Sequence, residues 1–433
     1  MERLRACRPT DRSGLLALAL VTLLAAIQLF RGGTMIGQDA ATQFYPWYDY
    51  LGERLRAGQI PAWNPYQFAG VPFAADPQSG WMYLPAMLLF TLLPLAWAVP
   101  VFIVAHLALA GVGTYVLARL LGMGVGAAVV AGVAYELAPP IYGRSVCCPA
   151  QYEVGAWMPF ALVGAELALQ APAWRGRILG WALAGLAVSQ ALGAWLGQGG
   201  YYFLMLLGAY IGYRTLIAPS PRVEGRAGRL REALVHGGAV LAVGFGLAAA
   251  GILPRLDYVA RSNVDGGDYA AHSPWAADIG GVTPRMIADR LFERTLYYPG
   301  VAVAILALAA LVLVRGRHLA PFFAGAGIGA LILALPWDTP LHQLLYLVLP
   351  RFEELHQHWP ERVAIVAYVT IAMLAGATVE TLATRRPGRR RVLLAIGIPA
   401  TIFLALLAAG SHLPPAPLVA VLVLLALAGG LAL

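Results

Sequence analysis

The chain has 433 residues, 60% of them hydrophobic and only 12% charged, with a mean hydropathy of +0.69. A soluble domain carries about 25% charged residues, so the composition excludes an ordinary soluble protein and points to a polytopic membrane protein. The net charge of +8 is carried by Arg, since the sequence has no Lys; in such a chain it reports orientation in the bilayer rather than nucleic-acid binding.

Residues 1–12 hold four Arg and precede an apolar run at 14–30. No small-residue cleavage site follows it, so it reads as an uncleaved first span with a cytoplasmic N-terminus. A span needs about 20 apolar residues. On that measure, spans fall near 14–30, 97–118, 124–140, 153–171, 178–196, 201–217, 233–253, 298–314, 319–335, 361–383, 392–409 and 414–433. Strict alternation then places the short connections at 119–123, 172–177, 218–232, 315–318 and 384–391 inside, and each carries Arg. With Arg214 and the N-terminal segment, 19 of the 30 Arg fall on that side. The sequence therefore predicts an all-α, single-domain membrane protein over 1–433, of about twelve transmembrane helices. Two apolar runs bracketed by Pro, 82–95 and 340–350, are too short to cross and read as re-entrant or interfacial helices.

Three extracytoplasmic segments have length enough for chemistry: 31–96, 254–297 and 336–360. In the first, Phe44, Trp47 or Tyr48, Leu51 and Leu55 repeat at helical spacing, opposed by Asp49, Glu53 and Arg56. Pro46 suits the first turn and Gly58 the end, so the spacing predicts an amphipathic helix lying in the membrane surface. Asp39 stands close to the end of the first span. A carboxylate at the edge of the apolar slab is costly unless paired, and the position suits a general base as well as a helix N-cap. The turns that follow, Gly58 to Pro65 and Gly70-Val71-Pro72, carry Trp63, Tyr66 and Phe68 as flat faces for sugar rings. Asn64, Asp76 and Gln78 supply hydrogen bonds to hydroxyls.

Further along, Glu136 lies in a span just before Pro139-Pro140, and an intramembrane carboxylate at a broken helix is a functional candidate; Arg144 is its expected partner. Glu166 and Glu380, near the inner ends, are expected to snorkel or to pair with loop Arg. Arg255 and Arg362, at outer span ends, suit a bidentate grip on a lipid phosphate. His356 and His358 beside Glu353, Glu354 and Glu361 offer either ligands for a divalent cation or contacts to phosphate and sugar. Cys7, Cys147 and Cys148 fit neither a metal spacing nor a disulfide framework and are expected to be plain thiols. No nucleotide-binding or hydrolase motif is present.

Taken together, the first span, Gly37-Gln38-Asp39, the aromatic-Pro helix, Gly58-Gln59-Ile60-Pro61-Ala62-Trp63-Asn64-Pro65, Gly70-Val71-Pro72 and Tyr83 followed by Pro85 resemble the YfhO-like bacterial membrane proteins. These belong with the GT-C type glycosyltransferases. Leu253-Pro254 with Arg261, Tyr298-Pro299-Gly300 and Pro360-Glu361-Arg362 extend the resemblance in order over 14–383. It implies a GT-C-like enzyme of the bacterial cytoplasmic membrane that moves a sugar from a polyprenyl-phosphate carrier to a glycan or lipid acceptor of the cell envelope. Asp39 matches the acidic residue of the first outer loop that serves such enzymes as base or metal partner. Trp63, Asn64, Asp76, Tyr83 and Glu136 would then shape the sugar site, with Arg255, Arg362, His356 and His358 at the donor phosphate and a divalent cation as the cofactor to look for. YfhO-like chains are often much longer, so a truncated or minimal member is expected. A transporter or flippase for a lipid-linked saccharide, or a non-catalytic envelope-assembly partner, would use the same surface without bond breaking.

Overall fold

The computed structural model describes residues 9–31, 36–145, 147–221, 223–261, 300–334, 339–356, 360–409 and 415–430. Each of the twelve apolar ranges falls on a helix. These are α1 (Pro9–Arg31), α4 (Leu95–Leu120), α5 (Val125–Glu136), α6 (Pro149–Gln170), α7 (Trp174–Ala194), α8 (Gln198–Gly212), α9 (Gly225–Val259), α10 (Val301–Leu313), α11 (Ala320–Leu333), α14 (Ala364–Arg385), α15 (Arg389–Ala408) and α16 (Pro415–Gly430). Short helices α2 (Tyr45–Arg56), α3 (Leu84–Leu92), α12 (Pro340–Val348) and α13 (Phe352–His356) complete the described set. Among the described residues, six helices are long and apolar enough to cross a membrane: α4, α5 with its continuation to Gly143, α7, α9, α14 and α15. The protein is an all-α, multi-pass membrane protein. The two Pro-bracketed runs become α3 and α12, each of 9 residues, far short of a crossing.

Small residues let the helices approach closely, since apolar side chains gain little by leaving lipid for one another. Helix α6 lies on α7 where Gly164 faces Ala184 and Gly180 faces Ala168; a Cβ on Gly180 would stand 2.5 Å from the Ala168 backbone N. Helix α7 in turn packs on α9, α4 on α5 and α6, and α14 on α5, α10 and α11. One core runs through these helices, and a second, smaller one joins α10 to α15 and α16.

The two ends of the bundle differ. At one end, Arg119 pairs with Asp11 at 2.8 Å, Arg177 with Glu232 at 3.2 Å and Arg214 with Glu166 at 2.9 Å. Glu380 there accepts the Gly124 N–H at 2.6 Å, so it closes the start of α5 rather than pairing with Arg. The other end carries the first loop, and all the chemistry discussed below lies on it or just beneath it.

Candidate active site

The first loop is a folded cap. Residues Ala40–Phe44 form a wide helical turn leading into α2. Phe44, Trp47, Tyr48 and Leu51 are buried while Glu53 and Arg56 stay exposed, as the helical spacing predicts. Gly58 takes φ +68° and the Gln59 N–H returns to Arg54 O at 2.9 Å, closing the helix. Gly52 lets α2 lie against α3, because a Cβ there would fall 2.1 Å from Phe90 O. A two-residue hairpin pairs Trp63–Asn64 with Val71–Pro72, and Tyr50 Oη donates to Trp63 O at 2.6 Å. The cap sits on the bundle through an aromatic cluster of Tyr45, Tyr48, Phe90 and Phe102. Its far edge leaves Trp63, Tyr66 and Phe68 exposed at 54%, 80% and 85%.

Asp39 is exposed at the start of the wide turn, and its side chain caps no helix N–H. The helix-cap role open to it in sequence is therefore not the one it takes. Its carboxylate lies beside the segment that leads into α6: Asp39, Cys147 and Cys148 bring one ligand atom each to within 4.8 Å of one another. Cys147 and Cys148 are joined to each other as a disulfide, which corrects the expectation of two plain thiols. Arg144 Nη1 lies 3.8 Å from one sulfur and 3.5 Å from the other. Glu136 does not pair with Arg144: its Oε2 has no hydrogen-bond partner. It accepts from Thr22 Oγ1 at 2.5 Å, fully buried between α1, α4 and α5 and directed at Gly111.

Several other expected site residues are committed to holding the cap in place. Arg255 has no exposed surface. Its Nη1 donates to Leu192 O at 2.8 Å and Gly193 O at 3.1 Å, and its Nη2 to Trp81 O at 2.9 Å. It joins α9 and the end of α7 to the cap as a strut, which corrects its reading as a phosphate grip: unpaired carbonyls inside the bundle compete for the guanidinium and win. Asn64 is buried, with Oδ1 accepting from the Tyr66 N–H at 2.9 Å. Tyr83 is buried too. His106 Nδ1 faces Phe102 O at 2.6 Å and must donate to it, so Nε2 is the acceptor for Tyr83 Oη, while Trp157 Nε1 donates to that same oxygen at 3.2 Å. Both residues support the site from behind rather than line it. Asp76 accepts from the Gln78 N–H at 2.7 Å. Burial pushes its carboxyl above the ordinary range, opposed by that N–H and by the positive Arg255.

His356 does not stand ready for a cation. Its Nε2 faces Leu333 O at 3.0 Å and its Nδ1 faces Tyr202 Oη at 2.7 Å, and its ring stacks on Phe352 at 4.7 Å. With both nitrogens engaged it is a neutral core histidine, a correction to its place in the donor site. His358 lies outside the described residues, as does most of the second loop. Arg362 Nη1 donates to Gln198 Oε1 at 3.2 Å and its guanidinium lies over the Trp195 ring at 5.3 Å. It lines a small cleft with Gln151, Trp195, Tyr202 and Pro140, the last of these from the short segment that ends at Arg144.

One carboxylate escaped the sequence reading. Glu153 is fully buried in the second turn of α6 and accepts from Tyr48 Oη at 2.8 Å; its Oε2 has no hydrogen-bond partner. An acid one turn after Pro149, in an otherwise apolar run, was the available signal. A hard divalent cation needs several oxygen ligands, and among the described residues Asp39 is the sole carboxylate of its cluster. The donor set does not fit magnesium or calcium.

No family model matches the chain, and neither does any curated protein.

Proposed function

We propose that this protein is a twelve-span, GT-C-like glycosyltransferase of the bacterial cytoplasmic membrane, with the cap and Asp39 on the extracytoplasmic side. It takes a sugar from a polyprenyl-phosphate carrier and hands it to a cell-envelope glycan or lipid. The observation that carries the reading is Asp39, an exposed carboxylate on a seated aromatic cap, close to the Cys147–Cys148 pair that Arg144 also reaches. The resemblance of the first-loop motifs to the YfhO-like proteins supports the same chemistry.

In this scheme the donor phosphate lies against Arg144, at the end of the Pro139–Gly143 turn, and Arg362, which shares a cleft with Pro140, in place of Arg255 and His356. Asp39 accepts the proton of the acceptor hydroxyl, whose oxygen attacks the anomeric carbon as the lipid phosphate departs. A single displacement inverts that carbon. Trp63, Tyr66 and Phe68 offer faces on which acceptor sugar rings stack. The basic end of the bundle lies inside, where the positive-inside rule places it.

The test is transfer of radiolabelled polyprenyl-phosphate sugar to an envelope acceptor fraction in proteoliposomes. Losing a general base lowers rate by about a hundredfold to ten-thousandfold, so Asp39→Asn should fall by that much with donor binding kept. Full activity in Asp39→Asn would end the proposal. The buried Glu136, with one carboxylate oxygen unpartnered inside the bundle, favours a second reading as a transporter of a lipid-linked saccharide. In that case label crosses the bilayer without reaching an acceptor.

A further inference from the structure

The sulfurs of Cys147 and Cys148 and a carboxylate oxygen of Asp39 lie within 4.8 Å of one another, although more than a hundred residues separate Asp39 from the pair. Tertiary structure alone makes the cluster. A disulfide stabilises a fold chiefly by closing a loop of the unfolded chain, and its effect grows with loop length. Neighbouring cysteines close only the smallest ring the chain allows, so this bond restrains its own turn but removes little loop entropy and is not a staple between distant parts of the chain. Both residues are half-buried, within reach of a small reductant.

Around the sulfurs the structure is arranged for negative charge. Arg144 Nη1 stands 3.5 Å from Cys148 Sγ and 3.8 Å from Cys147 Sγ. Cys148 is also the residue that opens α6, a helix of 22 residues, so the positive end of that helix points at it. A neighbouring Arg and a helix N-terminus both favour the thiolate, which is the metal-binding form of cysteine. Two thiolates and one carboxylate balance a divalent cation together with the Arg144 charge. Two sulfurs and one oxygen suit a thiophilic ion such as Zn2+, which accepts Cys and Asp ligands in a tetrahedron, and the donor set leaves a fourth position open.

We propose that Asp39, Cys147 and Cys148 form a redox-gated site for a thiophilic divalent cation, closed while the sulfurs are joined and open once they are reduced. A dithiol opens it: two electrons and two protons pass to the Cys147–Cys148 bond, which breaks into two thiols as the reductant's own sulfurs pair. The cation then displaces both thiol protons to solvent, and Asp39 supplies the third ligand atom. This goes beyond the transferase reading and does not depend on it. If both hold, a cation on Asp39 removes the base, so reduction with Zn2+ present stops transfer.

The experiment uses the full chain in nanodiscs with Cys7→Ser, so that only the pair contributes sulfur. Iodoacetamide labelling read by intact mass should give no adducts before treatment with dithiothreitol and two afterwards. After the reductant is removed without air, equilibrium dialysis against Zn2+ should load one ion per chain. Binding should weaken at least about tenfold in the oxidised protein and in Asp39→Asn, the scale that even outer-shell partners of a metal carry. Cys147→Ser/Cys148→Ser should bind none. Two adducts before reduction overturn the gate. Equal Zn2+ uptake by oxidised and reduced protein, or wild-type affinity in Asp39→Asn, overturns the site. Asp39 is exposed and caps no helix, so its variant keeps the test decisive if the double serine variant fails to fold.

Discussion

Replacing Arg255 with Met tests whether this guanidinium serves the fold or a ligand. Met keeps an unbranched apolar stem but leaves Leu192 O, Gly193 O and Trp81 O without the donor that now reaches them at 2.8 to 3.1 Å. A hydrogen bond to a charged group contributes about 1.5–3 kcal/mol, and a buried acceptor left alone costs about 1–3 kcal/mol. With three carbonyls affected and one allowed to find water, the loss comes to about 3–5 kcal/mol. At roughly 2 °C per kcal/mol for a chain of this size or larger, Tm should fall by about 6–10 °C. The assay is intrinsic-fluorescence melting in nanodiscs, with limited proteolysis of the cap read alongside. Cleavage should rise in the turns near Trp63–Gly70, because Arg255 ties the bundle-facing side of the cap at Trp81 to the end of α7. Arg255→Lys should recover part of the stability, since an ammonium still reaches one or two of the carbonyls. An unchanged Tm with a raised KM for the lipid donor would refute the strut and restore the phosphate grip.

Three further outcomes follow from single sites. His356 is held neutral, its pKa pushed down to about 3 by burial, with the nearby His342 charge adding to the effect. The unfolded residue titrates near its ordinary 6.5, so this stability is complete above about pH 6.5 and is lost as pH falls toward 3; wild-type Tm should drop more steeply than that of His356→Gln between pH 6.5 and 4. Gly180→Val must separate α6 from α7, since its Cβ would lie 2.5 Å from Ala168 N, whereas Gly237→Ala meets nothing within 4 Å. Melting should show a loss of about 3 kcal/mol or more for the first and a gain of up to about 1 kcal/mol for the second. Glu136→Gln keeps an acceptor for Thr22 but cannot ionise; unchanged transfer in proteoliposomes fits the enzyme, and abolished saccharide translocation would move the function to the transporter.

The cap shows how far local pattern reaches. The amphipathic spacing from Phe44 to Leu55, Pro46 in the first turn and Gly58 at the end were all legible, because each depends on residues within one or two turns. The turns around Asn64 were legible for the same reason, yet not what they are for. Asn64 and Asp76 look like ligands for hydroxyls in sequence, and in the structure their carboxyl or amide oxygens accept backbone N–H groups two residues on. A polar side chain in a tight turn meets its own backbone before it meets a substrate.

What the sequence determined by itself is the class of molecule and the placement of its helices. Hydropathy over about twenty residues reports burial in lipid, and the Arg distribution reports which ends lie together. Tertiary structure alone decided which polar groups remain available for chemistry. Arg255 and Arg362 stand at similar span ends in sequence, but Arg255 is fully buried, because α7 ends beside it with carbonyls to satisfy. Glu153 and Tyr48 meet across 105 residues, and Asp39 meets the Cys147–Cys148 pair across a similar distance. Such meetings depend on which helix neighbours which, and no periodicity along the chain encodes that choice.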